Sequence, residues 1–188
     1  MKKLILGSGS PRRKELLELA GYTFEVKTSD IDESMHRKSD PQSIVEQLAR
    51  MKSEAFTISD NEVLLTADTI VSAGGNILGK PESKEEASEM LHMLSGEVHD
   101  VHSGVSIRTN EQTYVFSQQT TVEFWKLTED DIEQYIHTKD PYDKAGAYGI
   151  QSKGAILVKA IQGDYYNVVG LPLSRVVREL RTFEILPS

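Results

Sequence analysis

A chain of 188 residues, 38% hydrophobic and 27% charged, has ordinary globular composition and can bury a substantial core as one large domain or two closely joined lobes. Its net charge of −8 works against nonspecific binding to nucleic acid, whose affinity rests on neutralising phosphates. The lack of cysteine rules out disulfides, thiolate metal sites and cysteine nucleophiles and fits a cytoplasmic protein; no apolar run approaches a membrane span, and Met1-Lys2-Lys3 leads into a strand rather than a signal peptide.

The first element carries the most chemistry. Leu4, Ile5 and Leu6 read as an apolar strand, Gly7-Ser8-Gly9-Ser10 as a turn, and Pro11 onward as a helix with Ser10 at its N-cap. A helix N-terminus offers unpaired N–H donors and partial positive charge, so it favours anions. Arg12 and Arg13 have the wrong sign for that dipole: the sequence gives up local stability to collect positive charge. Guanidinium forks match phosphate oxygens, and the strand–turn–helix delivers both arginines to the carboxyl end of a strand, where open α/β sheets hold ligands. Arg13 precedes Leu16 and Leu17 by three and four residues, so it points along the buried side of the helix. Solvated surface charge is the plain alternative for the pair. A dinucleotide fingerprint does not fit, because Arg12 stands where the third glycine belongs, and no Walker-type Gly-Lys-Ser/Thr follows.

Phe24–Lys27 alternates like a strand and leads into the acidic turn Ser29-Asp30-Ile31-Asp32-Glu33. Asp40-Pro41 starts a helix predicted to run to about Ser59 on a stripe of Ile44, Leu48, Met51, Ala55 and Ile58. Residues 63–73 form a nearly continuous apolar strand ended by Gly74-Gly75, and Lys84–Leu94 a helix with Ala87, Met90, Leu91 and Leu94 inward. Val98–Arg108 and residues 112–125 read as two long strands of a hairpin. Residues 128–137 read as a helix with a capping box of Thr128 and Asp131. A glycine-rich loop (146–154), a strand (155–161) and a helix (172–183) complete the chain. Helices and strands mix without strict alternation. The expected fold is therefore α/β, a mixed twisted sheet with flanking helices and an antiparallel section.

Several charges stand where a core is expected. Asp68 lies inside LLTADTIVSA, a segment that reads as buried on both faces. An isolated carboxylate there would cost on the order of several kcal/mol, so Asp68 must be paired, protonated or metal-bound; a structural salt bridge is the alternative to a functional acid. Lys52 projects among Val45, Ala49 and Phe56, where snorkelling would be ordinary. Lys80 is held in the non-helical Gly79-Lys80-Pro81. Glu33 ends an acidic turn in which Asp30 and Asp32 serve equally as turn formers. Carboxylate oxygens are ligands for Mg²⁺ or Mn²⁺, and Arg12, Arg13, Lys52 and Lys80 would balance a triphosphate. The set reads as metal-dependent phosphoanhydride hydrolysis. His99 and His102, three apart on a strand, face opposite ways and make no common metal site. His36, His92 and His137 read as surface residues, and Trp125 and Tyr165-Tyr166 as packing residues.

In order, SGSPRRKELL, DIDES, LLTADTIV, GKP, HSGVSI, DKAGAYGIQSKGA and GDYYNVVGLPLSR resemble the Maf family of nucleotide pyrophosphatases nearly end to end. The resemblance implies one domain over residues 1–188 with an inosine-triphosphatase-like fold, two lobes around a central cleft without an independent linker, and a homodimer. It implies hydrolysis of nucleoside triphosphates to monophosphate and pyrophosphate with a divalent cation. Asp68 matches the family's proton acceptor; Ser8, Arg13, Glu33, Lys52 and Lys80 match its phosphate- and metal-handling positions, with Glu33 and Asp68 on the metal. Arg12, Thr69 and Gln151 match the branch acting on dTTP and UTP, where the sister branch acting on 7-methyl-GTP has Trp, Gln and Glu. A Gln amide can answer the O4 acceptor and N3 donor of thymine or uracil together, whereas a carboxylate only accepts. Ser152 is a departure, standing where many relatives carry glycine. The family is also linked to arrest of septum formation, which leaves a regulator of cell division, acting through a protein or nucleic-acid partner, as the alternative function.

Overall fold

The computed structural model describes residues 2–29 and 40–188, so Asp30, Asp32, Glu33 and His36 lie outside the described residues. The strands are β1 (Lys3–Gly7), β2 (Phe24–Lys27), β3 (Glu62–Ala73), β4 (Asn76–Leu78), β5 (Val98–Arg108), β6 (Thr113–Phe124) and β7 (Val158–Gln162). The helices are α1 (Pro11–Leu19), α2 (Pro41–Glu54), α3 (Lys84–Leu94), α4 (Glu129–Ile136), α5 (Tyr165–Val169) and α6 (Leu173–Thr182). The strands form one mixed sheet in the order β2-β1-β3-β5-β6-β7, with β4 paired to β3 off that path. β1 runs parallel to β2 and β3, whereas β3–β4 and β6–β7 are antiparallel. The short link at residues 109–112 makes β5 and β6 the expected hairpin.

The chain divides into two compact units. Met1–Thr69, Ser103–Gln118 and Gly170–Ser188 form the first, and Ile70–His102 and Gln119–Val169 the second. In the first unit Leu4, Ile5, Leu6, Val63, Leu64 and Leu65 are all buried, as parallel strands covered on both faces require. α2 buries Ile44, Val45, Leu48, Ala49 and Ser53, so its inward face includes the flank beside the predicted stripe, and Ala55 is exposed. The helix also stops at Glu54 rather than Ser59. Arg108 from the end of β5 donates Nη2 to the carbonyls of Ser53 and Phe56, both at 2.6 Å, and Nε to Ser53 Oγ at 2.9 Å. A guanidinium thus takes up carbonyls that a continuing helix would have bonded internally. Ile58 is buried as predicted, but from the loop beyond the helix, where it packs with Ile5 and Leu64.

The second unit is built on a core that includes Val71, Leu91, Leu94, Val122, Phe124, Tyr135, Tyr148 and Leu157. α3 turns in the four residues expected, and Thr128 and Asp131 close the capping box on α4 in both directions. His99 lies in this unit with Nε2 2.7 Å from the Tyr148 hydroxyl and its ring edge-on to Phe124 and Tyr148. Burial holds its pKa down to about 4. His92 and His137 are exposed. The last strand begins at Val158, later than predicted, because Lys153–Leu157 winds into a 3-10 turn. Trp125 is 54% exposed and Tyr165 39%, which corrects their reading as packing residues; Lys159 Nζ stands 5.5 Å from the centre of the Trp125 ring. The sequence pattern also left β4 and α5 unmarked.

Candidate active site

The site starts at the carboxyl end of β1. Its register with β3 runs to Leu6 opposite Leu65, and β3 continues past that rung through Thr66, Ala67, Asp68 and Thr69. Open α/β sheets carry ligands beyond such strand ends. Ser10 is the N-cap residue of α1 and Pro11 opens the helix, yet the Ser10 side chain makes no capping bond. Instead the Ser10 N–H donates to Ser8 Oγ at 3.2 Å, closing the turn on itself.

Arg13 fastens this turn to two distant segments. Nη1 donates to Ser8 Oγ at 3.2 Å, Nη2 to Thr69 Oγ1 at 3.2 Å and Nε to the Gly170 carbonyl at 2.9 Å. The inward direction read from its spacing to Leu16 and Leu17 is therefore found. A planar fork can reach three acceptors in this way, where a lysine would supply one point of charge. Thr69 Oγ1 also lies 2.8 Å from Ser103 Oγ on β5. Arg12 is half-buried in the same first turn of α1, a turn without acidic residues.

Asp68 is only 8% exposed and pairs through Oδ1 with Nζ of Lys52 from α2. The ion pair with Lys52 is one of the sequence alternatives for this acid. The bridge is not dry, since the Lys52 and Asp68 side chains keep 17% and 11% of their exposure. Two contacts set α2 against the sheet. Thr66 Oγ1 donates to the Ala49 carbonyl at 2.7 Å, one helical turn before Lys52. A Cβ on Gly104 of β5 would fall 2.1 Å from the Val45 carbonyl oxygen, so only glycine lets the helix backbone come this close. The pleat of β3 turns Asp68 toward α2 and the next residue, Thr69, the opposite way.

Ser8, Arg13 and Thr69 thus form one hydrogen-bonded group, and Asp68, on the same strand as Thr69, forms an ion pair with Lys52 of α2. Lys80 and Gln151 belong to the second unit, and both are exposed there. The Gly146 N–H donates to the Gly79 carbonyl at 3.0 Å, fixing the connection that carries Lys80. Glu33 lies outside the described residues. Sequence reasoning missed Ser103 and Gly170 as partners of Thr69 and Arg13. Both sit in motifs already singled out, HSGVSI and GDYYNVVGLPLSR, and a buried strand serine without a marked partner was the available signal.

The chain resembles, over 97% of its length and 100% of the other's, a HAM1 protein from Coxiella burnetii, with a TM-score of 0.57 at 16% identity. That likeness shows the fold: a mixed α/β protein of the HAM1 type. A family model described as Maf-like protein matches residues 3–183. Curated relatives named dTTP/UTP pyrophosphatase are 53% identical over 186 residues in Bacillus cereus (strain G9842) and 55% over 185 in Bacillus cytotoxicus, each match covering 98% of this chain and 97% of the relative. The chain belongs to the Maf-like family.

Proposed function

We propose that this protein hydrolyses dTTP and UTP to the monophosphate and pyrophosphate, removing surplus or modified pyrimidine nucleotides. The observation that carries the reading is Asp68, a nearly buried carboxylate oriented by Lys52 just past the β1–β3 register and next in sequence to Thr69, which Arg13 ties to the turn. Relatives bearing the activity in their names support the substrate class. In this reading Asp68 takes the proton of a water that attacks the α-phosphorus. The new P–O bond forms as the bond to pyrophosphate breaks, and the pyrophosphate leaves with its electron pair. Ser8, Arg12, Arg13, Lys52 and Lys80 hold phosphate oxygens and offset the charge that builds on the leaving group. Thr69 and Gln151, with Arg12, select the base.

A divalent cation, Mg²⁺ or Mn²⁺, belongs to this proposal. Among the described residues no three His, Asp or Glu side chains gather as a ready ligand set. Such ions are commonly held by one or two carboxylates together with substrate phosphates, so Asp68 with Glu33 fits that donor chemistry. When bound, the ion would neutralise phosphate charge. The proposal extends to a homodimer and to a place in the cytoplasm; among the described residues no helix is long and apolar enough to cross a membrane.

The test is a panel of nucleoside triphosphates with Mg²⁺ or Mn²⁺, read as pyrophosphate release. Activity on dTTP and UTP above purine triphosphates is expected, and no release from either would remove the reading. Asp68→Asn is expected to lose at least ~10²-fold in kcat, the scale of a general base, while circular dichroism stays unchanged. Turnover at the wild-type level in that variant would overturn the role of Asp68.

A further inference from the structure

We infer that Asp140 is a positioning residue for base selection: through Ser152 and Tyr135 it locks the turn at residues 149–152 and so fixes the backbone that presents Gln151. The inference rests on the reading above, in which Gln151 meets the pyrimidine edge. Every group involved lies within the second unit.

Asp140 follows α4, and its side chain is 15% exposed. Oδ2 accepts from the Tyr135 hydroxyl at 2.6 Å and from Ser152 Oγ at 2.5 Å. Lys144 Nζ donates to Oδ1 at 3.2 Å and to the Asp140 carbonyl at 2.7 Å. The Tyr135 hydroxyl in turn accepts the Gly149 N–H at 3.2 Å, and Ser152 Oγ stands 3.2 Å from the Gly149 carbonyl. Both ends of the turn are therefore tied to one carboxylate, directly at Ser152 and through a phenol at Gly149. Gln151 is exposed between these two anchors. Packing reinforces the tie, since a Cβ on Gly154 would lie 2.7 Å from both the Tyr135 hydroxyl and the Gly149 carbonyl.

Burial pushes the Asp140 carboxyl up, but hydrogen bonds from Ser152 and Tyr135 and the charge of Lys144 together hold it below the usual carboxylate range. It thus stays an acceptor for both hydroxyls at neutral pH. A satisfied polar network of this kind is stiff, because each partner would be left unpaired by any movement. Stiffness matters for an amide that must present a donor and an acceptor together. Discrimination by hydrogen bonding depends on the wrong base leaving polar groups unpaired, and a backbone free to shift at Gln151 would let its amide adapt. Ser152 supplies the direct anchor at the position where family resemblance leads one to expect glycine.

The experiment uses the full chain, with Ser152→Ala and Tyr135→Phe as independent removals of the two anchors and Ser152→Thr as the variant that keeps a hydroxyl. Steady-state kinetics on dTTP, UTP and GTP are measured beside thermal unfolding and amide exchange. KM for dTTP should rise by about 3- to 10-fold in each removal, the scale of one net hydrogen bond. kcat should fall by less, and the dTTP-over-GTP ratio of kcat/KM should narrow. Exchange should quicken at residues 149–152 and not in α3, with Ser152→Thr nearer the wild type. Unmoved KM and ratio in both removals would overturn the inference. So would a loss equal for all three nucleotides that tracks the unfolding temperature, the mark of a merely structural role. A wild-type chain inactive on dTTP and UTP removes the parent reading and this inference with it, whereas an active wild type with unmoved variants removes this inference alone.

Discussion

Single residues in this chain divide into those whose charge is engaged in hydrogen bonds at the candidate site and those whose burial changes their chemistry. Arg13 is the first kind: three nitrogens meet three acceptors on the turn, β3 and the segment before α6. Its position in sequence showed the direction, because Leu16 and Leu17 fix the buried side of α1, but nothing local could show which acceptors the fold would bring. His99 is the second kind. Burial lowers its pKa to about 4, below the unfolded value of about 6.5. The unfolded chain therefore takes up the proton first as pH falls, and stability is lost between these two values, on the order of 3 to 4 kcal/mol in all at about 1.4 kcal/mol per unit. Above pH 6.5 both states are neutral at this ring and the contribution is flat. Urea unfolding of the wild type should show that acid loss between pH 7.5 and 4.5, and His99→Gln, which keeps a side-chain amide near Tyr148, should show less of it. Equal slopes for the two proteins would mean that another group carries the titration.

At the scale of elements, patterns complete within a few residues were legible and contacts made across the chain were not. β2, α3 and β5 fall where periodicity and turn residues put them, and the Thr128–Asp131 capping box is a local motif that needs no tertiary partner. The end of α2 was misread because it is set by Arg108, more than fifty residues later in the chain. The start of β7 was misread because the 3-10 turn at Lys153–Leu157 uses up residues that look like strand. Gly104 belongs to the same lesson: within HSGVSI it looks like a strand defect, and its reason is the α2 backbone packed against it. Gly104→Ala must push α2 away from the sheet, and overpacking of this kind costs about 1–3 kcal/mol. Because Lys52 rides on the same helix, the variant is expected to lose kcat as well as stability. A variant with wild-type unfolding free energy would show that α2 yields without cost, and one that is destabilised yet fully active would uncouple the helix position from the Lys52–Asp68 pair.

For the whole molecule the fold class was readable, because apolar strands without alternation sit beside alternating ones and helices intervene irregularly. The order of the sheet was not. β5 lies next to β3 although β4 and α3 come between them in the chain, and such adjacency is decided by burial and not by local pattern. Of the candidate site, the residues gathered in the first unit were legible as charges out of place: Lys52 and Asp68 as a lysine and an acid on apolar faces, Arg13 as an arginine at a helix start. The net charge, 21 cations against 29 anions, gives −8 and bears on the ligand. A polymer of phosphates meets the field of the whole acidic surface, whereas a short polyphosphate reaches only the local cations, since charge more than about 8 Å away is screened at physiological salt. Two measurements at about 0.15 M salt follow from this contrast. Tripolyphosphate should inhibit dTTP hydrolysis competitively, raising KM without lowering kcat, because it offers the anionic part of the substrate alone. Duplex DNA should neither inhibit nor be retained in a filter-binding assay. Salt-sensitive retention of DNA would show a basic surface that the composition denies, and indifference to tripolyphosphate would mean that the nucleoside, not the phosphate chain, carries the binding.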